Sequence, residues 1–178
     1  MRISAIGLEM IKEFEGVRLG RYKDVAGLWT IGVGHLITKD DNLPDIITEK
    51  HALELLDADL DKFERAVNKV DYCMTQPQFD AMVSLAFNIG VGAFNKSSVK
   101  RRLEKGDIEG SAEAFTMWKK AGGRVVPGLL MRRIVEAIIF NDGKVTEPML
   151  TDIEQLSERH IDRMENIFEK LKYFLTFN

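Results

Sequence analysis

The sequence predicts an α+β fold: a small N-terminal lobe with a β-hairpin sheet, a long connecting helix and a mostly helical C-terminal lobe. Three observations carry this expectation. Apolar residues recur at helical spacing along most of the chain. Glycines and a period-two alternation concentrate between residues 18 and 35. One uninterrupted periodic run begins at Thr48, and at roughly 30 Å it is long enough to join two lobes.

Taken in order, the first helix is expected over Ala5–Glu15. Ser4 can cap it, Ile6, Met10, Ile11 and Phe14 form its apolar stripe, and Gly16 suits its end. From Leu28, the residues Trp29, Ile31 and Val33 alternate with Thr30, Gly32 and Gly34, which reads as a strand returning from a hairpin that turns near Ala26-Gly27. Residues 37–47 are polar and contain Pro44, so a loop or short extra strand is expected. The long helix then runs through Leu53, Leu56, Leu60, Phe63 and Val67. Thr75 and Gln78 form a capping box for a helix over Gln76–Asn88, stopped by Gly90. Further helices are expected over Ser97–Glu104, Ile108–Lys120 and Leu129–Phe140, with Gly122-Gly123 as a loop.

The 178 residues are 45% hydrophobic and 30% charged, which fits one domain with a real core. No run of 18 apolar residues suggests a membrane span. The N-terminal residues lack a cleaved-signal pattern, so the chain is expected to fold where it is made and to need another factor to leave the cytoplasm. Cys73 cannot form an internal disulfide and reads as a small apolar residue. Residues 91–133 carry 10 basic and 4 acidic side chains, a surplus that either attracts an anionic polymer or forms a solvated helix face. The three histidines are scattered with no metal-binding spacing, and Gly32-Val33-Gly34 has Ile37 where a nucleotide loop needs a third glycine. Neither a metal, an organic cofactor nor nucleic acid is expected. His35 reads as fixing its loop by hydrogen bonds, and Trp29 and Trp118 as core residues that can alternatively stack on sugars.

Three residues together suggest chemistry. Glu15 falls at a helix C-terminus, where the dipole disfavours a carboxylate, and burial against Phe14 or Tyr22 would add to this. Such an environment suits a general acid, although the position also fits an ordinary surface glutamate. Asp24 and Thr30 lie on the two arms of the hairpin. With a turn centred on Ala26 or Gly27 they come roughly opposite each other, where a carboxylate and a hydroxyl can share a water. Glycoside hydrolysis commonly uses one protonated carboxyl and one carboxylate.

The stretch FEGVRLGRYKDVAGLWTIGVGH, Phe14 to His35, resembles the catalytic segment of phage-type lysozymes, the endolysins of glycoside hydrolase family 24. Leu85–Phe94, LAFNIGVGAF, and Pro127–Phe140, PGLLMRRIVEAIIF, match in the same order. The resemblance implies a lysozyme-like fold and a muramidase that cleaves peptidoglycan between N-acetylmuramic acid and N-acetylglucosamine. It implies Glu15 as the general acid. Asp24 and Thr30 then hold a water, or Asp24 stabilises or traps the oxocarbenium ion. It places Leu36, Phe87 and Ser97 in the glycan cleft, with Ser98 as the alternative to Ser97, and pairs Arg132 or Arg133 with the acid. Met131 stands where some relatives have a polar residue.

The expected catalytic domain spans residues 1–145, with lobes at 1–47 and 69–145 joined by helix 48–68. Residues 146–178 form a helical extension. In it Ile161, Met164, Phe168, Leu171 and Leu175 make an amphipathic seam, which packs on its own domain or else serves self-association or docking. The expected partner is the glycan strand of peptidoglycan, without stable membrane insertion. The expected setting is host lysis, from the cytoplasm to the periplasmic wall after the membrane opens. A virion-associated wall-piercing subunit and a non-catalytic glycan-binding module are the rival readings.

Overall fold

The computed structural model describes residues 1–24 and 27–177, with side chains in the last helix described up to Lys172. Helix α1, Ala5–Glu15, has the expected bounds. Ser4 Oγ accepts from the Gly7 N–H, and its own N–H and hydroxyl donate to Asp80, so the cap also ties the chain start to a later helix. A three-stranded antiparallel sheet follows in the order β1 (Arg18–Lys23), β2 (Trp29–Gly32), β3 (His35–Leu36). Within residues 37–47 one bridge forms, from Ile46 to Gly20. Gly32 has φ 68°, and a Cβ there would meet Ala52 at 3.4 Å, so its missing side chain lets the sheet close on the next helix.

That helix is α2, Glu49–Val67, capped by Thr48. It buries Leu56, Leu60, Phe63 and Val67. Helix α3, Gln76–Ile89, begins with the expected Thr75–Gln78 capping box. A short helix α4, Val91–Asn95, was not expected: Gly90 ends α3 at φ 84° and the chain immediately re-enters helix. Helix α5 is Ser98–Leu103, with Ser97 as its cap. The helix expected over Ile108–Lys120 is shorter. It is α6, Ile108–Glu113, followed by a 3₁₀ turn over Ala114–Trp118. Gly122-Gly123, expected as a loop, turns a small hairpin between β4 (Lys120–Ala121) and β5 (Arg124–Val125). Two consecutive glycines at positive φ supply the turn.

Helix α7, Pro127–Phe140, runs through the centre of the helical lobe and is buried on nearly every face. The tail adds α8 (Glu147–Ile153) and α9 (Glu158–Phe177). Met164, Ile167 and Leu171 of α9 are buried against the main core, and α9 packs on α1 and α7. The expected seam therefore packs on its own chain, with Ile167 at its centre and Ile161 and Phe168 at its edges. The side chain of Leu175 lies outside the described residues.

Cys73, read as a small apolar residue, is exposed in the loop between α2 and α3. One expectation about a single residue, the core placement of Trp29, fails. Trp29 is 52% exposed, with the Lys23 ammonium 5.4 Å from its ring centroid. Trp29 opens β2 beside the hairpin turn, at the end of the sheet, whereas Thr30, Ile31 and Gly32 further along the strand are all buried. Trp118 does pack against the core. No helix among the described residues is long and apolar enough to cross a membrane.

Candidate active site

Glu15 closes α1, and the chain leaves the helix at Gly16 with φ 76°. Burial against Phe14 or Tyr22 does not occur. The Glu15 side chain keeps 30% of its surface, and its environment is set by Arg132 instead. Arg132 Nη1 donates to Glu15 Oε1 from α7. The guanidinium is itself nearly buried and lies 4.8 Å from the Phe14 ring centroid, a cation–π contact that supports its plane. Its Nε donates to Glu136 Oε1 at 3.0 Å and its Nη2 to the Ser84 carbonyl at 3.2 Å. Every edge of the fork is thus occupied, and the edge facing α1 holds Glu15.

Behind this pair lies a network that the sequence reading missed. Glu136 is fully buried and accepts from Ser84 Oγ at 2.6 Å, from Arg132, and from Arg133 Nη2 at 2.8 Å. Arg133 has no exposed surface, and burial pushes its guanidinium down to about 10, which still leaves it charged at neutral pH. Of the two arginines expected beside the acid, Arg132 makes the contact and Arg133 serves the carboxylate behind it. Met131, between them and the preceding turn, is buried in the core and does not disturb the pairing. The spacing of Arg132, Arg133 and Glu136 is the readable signal, since residues three and four apart share a helix face.

The hairpin register corrects one expectation. Thr30 is opposite Tyr22, not Asp24, and Lys23 is opposite Trp29. Asp24 faces Leu28: its N–H donates to the Leu28 carbonyl and its Oδ1 accepts the Leu28 N–H, each at 2.9 Å. The Gly27 N–H donates to the Asp24 carbonyl at 3.0 Å; Ala26, the other residue at which the hairpin is expected to turn, lies outside the described residues. Asp24 and Thr30 become diagonal neighbours on one face, and side chains so related sit roughly 7–8 Å apart. Thr30 is buried and its hydroxyl donates to the Leu28 carbonyl at 3.2 Å. Its proton is thereby engaged, and its oxygen lone pairs stay oriented as acceptors.

Leu36 pairs with Thr30 from β3 and is 46% exposed, so an apolar side chain stands beside the threonine. Phe87 on α3 is half-buried and meets Phe63 edge-to-face at 5.3 Å. Ser97 is buried, and its hydroxyl accepts from the Lys100 N–H as the cap of α5; Ser98 is half-buried. His35 holds the sheet to α2 through Nδ1, 2.8 Å from Asp59, as its loop-fixing reading expects. A cavity of about 860 Å³ lies elsewhere, beside α9 and the start of α3, lined by residues such as Ile6, Pro77, Ile139 and Phe168. Among the described residues no cluster of histidine, cysteine and carboxylate side chains suits a metal ion.

A family model described as phage lysozyme matches residues 12–136. The chain is 42% identical over 146 residues to an endolysin of Bacillus phage PZA, covering 80% of this chain and 56% of that protein. It therefore spans little more than half the length of that relative. It is 41% identical over 145 residues to an endolysin of Acyrthosiphon pisum secondary endosymbiont phage 1, covering 79% of this chain and 98% of that one. Among solved structures, a crystal structure of a P22 lysozyme variant superposes with a TM-score of 0.73 at 40% identity, over 79% of this chain and 99% of that one.

Proposed function

This chain belongs to the phage lysozyme family, and from that premise we propose that it is a muramidase hydrolysing the β-1,4 bond between N-acetylmuramic acid and N-acetylglucosamine. The observation that carries the proposal is the ion pair between Glu15 and the nearly buried Arg132, which draws one carboxyl out of a highly charged chain and fixes it at a helix end. In the proposed mechanism Glu15 protonates the glycosidic oxygen as the bond to the anomeric carbon breaks. Arg132 keeps the carboxyl aimed and stabilises the carboxylate that remains.

Asp24 and Thr30 serve the other face of the sugar. A water that donates one hydrogen to the Thr30 oxygen and the other to Asp24 points a lone pair outward, toward the anomeric carbon. The engaged hydroxyl of Thr30 favours this acceptor role. Asp24 acting directly on the oxocarbenium ion is the alternative course, and the anomeric configuration of the first product separates the two. Leu36 and Phe87 are assigned to the apolar wall of the glycan cleft, with the Ser97 cap supporting the start of α5. The proposed setting is host lysis, with synthesis in the cytoplasm and action on periplasmic peptidoglycan once the membrane is opened.

Mass spectrometry of sacculi digested by the purified chain tests the reaction. Reducing muramic ends are expected, and Glu15→Gln should lower their release by at least about a thousandfold while keeping the wild-type melting temperature. Anhydro-muramic ends would mean a lytic transglycosylase, and full activity of Glu15→Gln would remove the proposed acid.

A further inference from the structure

Glu13 stands two residues before the proposed acid, in the last turn of α1. The final four carbonyls of a helix run out of donors within it. At α1 the Gly16 N–H reaches back to the Lys12 carbonyl at 2.8 Å, and the chain then turns away. The Glu13 carbonyl is met from α9, where Arg163 Nη2 donates to it at 3.0 Å. Two turns further along α9, Lys170 Nζ pairs with Glu13 Oε1 at 2.7 Å. Two cations from one helix therefore grip the main chain and the side chain of a single residue, at the negative end of the α1 dipole.

The rest of α9 is placed to make that grip rigid. Its buried residues Met164, Ile167 and Leu171 lie between and beyond the two cations. The helix packs on α1, which carries Glu15, and on α7, which carries Arg132. It thus bears on both partners of the acid–arginine pair. All of α9 lies outside the residues that the family model matches.

We infer that α9 is a clamp on the proton donor. Arg163 and Lys170 are positioning residues that hold the Glu13 turn so that Glu15 stays against Arg132. They touch no reacting atom. A carboxyl on the final residue of a helix follows any fraying of the terminal turn, and a displacement of about 1 Å from a remote change can cost up to 100-fold in rate. The inference rests on the reading of Glu15 as the acid.

The test uses the full chain carrying Arg163→Met and Lys170→Met together, with Arg163→Lys as the conservative variant. Arg159→Met serves as a control that removes an exposed cation of the same helix. Well below the melting temperature, the double variant should lose about tenfold in kcat on sacculi with KM within about twofold. Arg163→Lys should recover most of the loss, and Arg159→Met should match wild type. Hydrogen exchange gives a readout independent of activity: the Glu15 and Gly16 amides should exchange about tenfold faster in the double variant, with the α3 amides unchanged. Wild-type kcat in the double variant, or unchanged exchange at the end of α1, overturns the clamp. A wild-type chain that releases no sugar ends fails the muramidase reading and the catalytic half of the inference, while the exchange measurement still decides whether α9 holds α1.

Discussion

Glu136 is the residue on which the arrangement behind the acid turns. Two guanidiniums and one hydroxyl converge on its Oε1, and neither Glu136 nor Arg133 reaches solvent. Removing one partner from a buried ionic group leaves an uncompensated charge, which typically costs about 3–5 kcal/mol. Glu136→Met is therefore expected to destabilise the chain by about that amount in denaturant titrations, because Arg133 would stay buried with no carboxylate beside it. It should also slow the reaction, since Arg132 loses the contact at 3.0 Å that orients its fork toward Glu15. A loss of less than about 1 kcal/mol would mean that Arg133 finds water or another acceptor when Glu136 is gone.

Among the elements, α3 shows most plainly how local chemistry sets a boundary. The Thr75 hydroxyl accepts from the Gln78 N–H, and the Gln78 side chain accepts from the Thr75 N–H at 3.0 Å. Pro77 fills the first turn, where its missing N–H costs nothing. The same helix supplies Ser84 to the network behind the acid, so its start and its site are mechanically connected. Thr75→Ala is expected to lower stability by about 1 kcal/mol in denaturant titrations, with kcat within about twofold of wild type. A loss near zero would show that the remaining Gln78 contact and water suffice to cap the helix.

On the scale of the whole molecule, the extension is part of the folded body. Met149, Leu156, Met164, Ile167 and Leu171 belong to the same apolar core as α1, α3 and α7. Deleting residues 147–178 would expose the surfaces they cover and is expected to lower the melting temperature by roughly 10 °C. An unchanged melting temperature together with loss of a dimer by light scattering would instead make the extension an association element. The two proposals about the tail are separable, because the deletion reads burial and the double substitution of Arg163 and Lys170 reads position.

Much of this protein could be read along the chain. The bounds of α1, the capping box of α3, the length of α2 and the glycine-punctuated sheet all arise from contacts within a few residues, so local pattern determines them. Glu15, Asp24 and Thr30, the residues proposed for the reaction, stand out for a related reason: their spacing and types lie within one short segment that resembles a known family. Tertiary structure alone decided what depends on distant partners. Arg132 rather than Arg133 meets Glu15 because of the rotation at which α7 packs on α3. Burial of Glu15 against Phe14 or Tyr22 was expected and did not occur, because the space beside Phe14 is taken by the Arg132 guanidinium. The strand register placed Thr30 opposite Tyr22 rather than Asp24, a two-residue shift that keeps every side chain on its face and that period two therefore cannot resolve. Arg163 and Lys170 look like ordinary charges on an exposed helix face. Only the packing of the last helix against the first gives them a carbonyl and a carboxylate to hold, since contacts across some 150 residues leave no periodic trace in sequence.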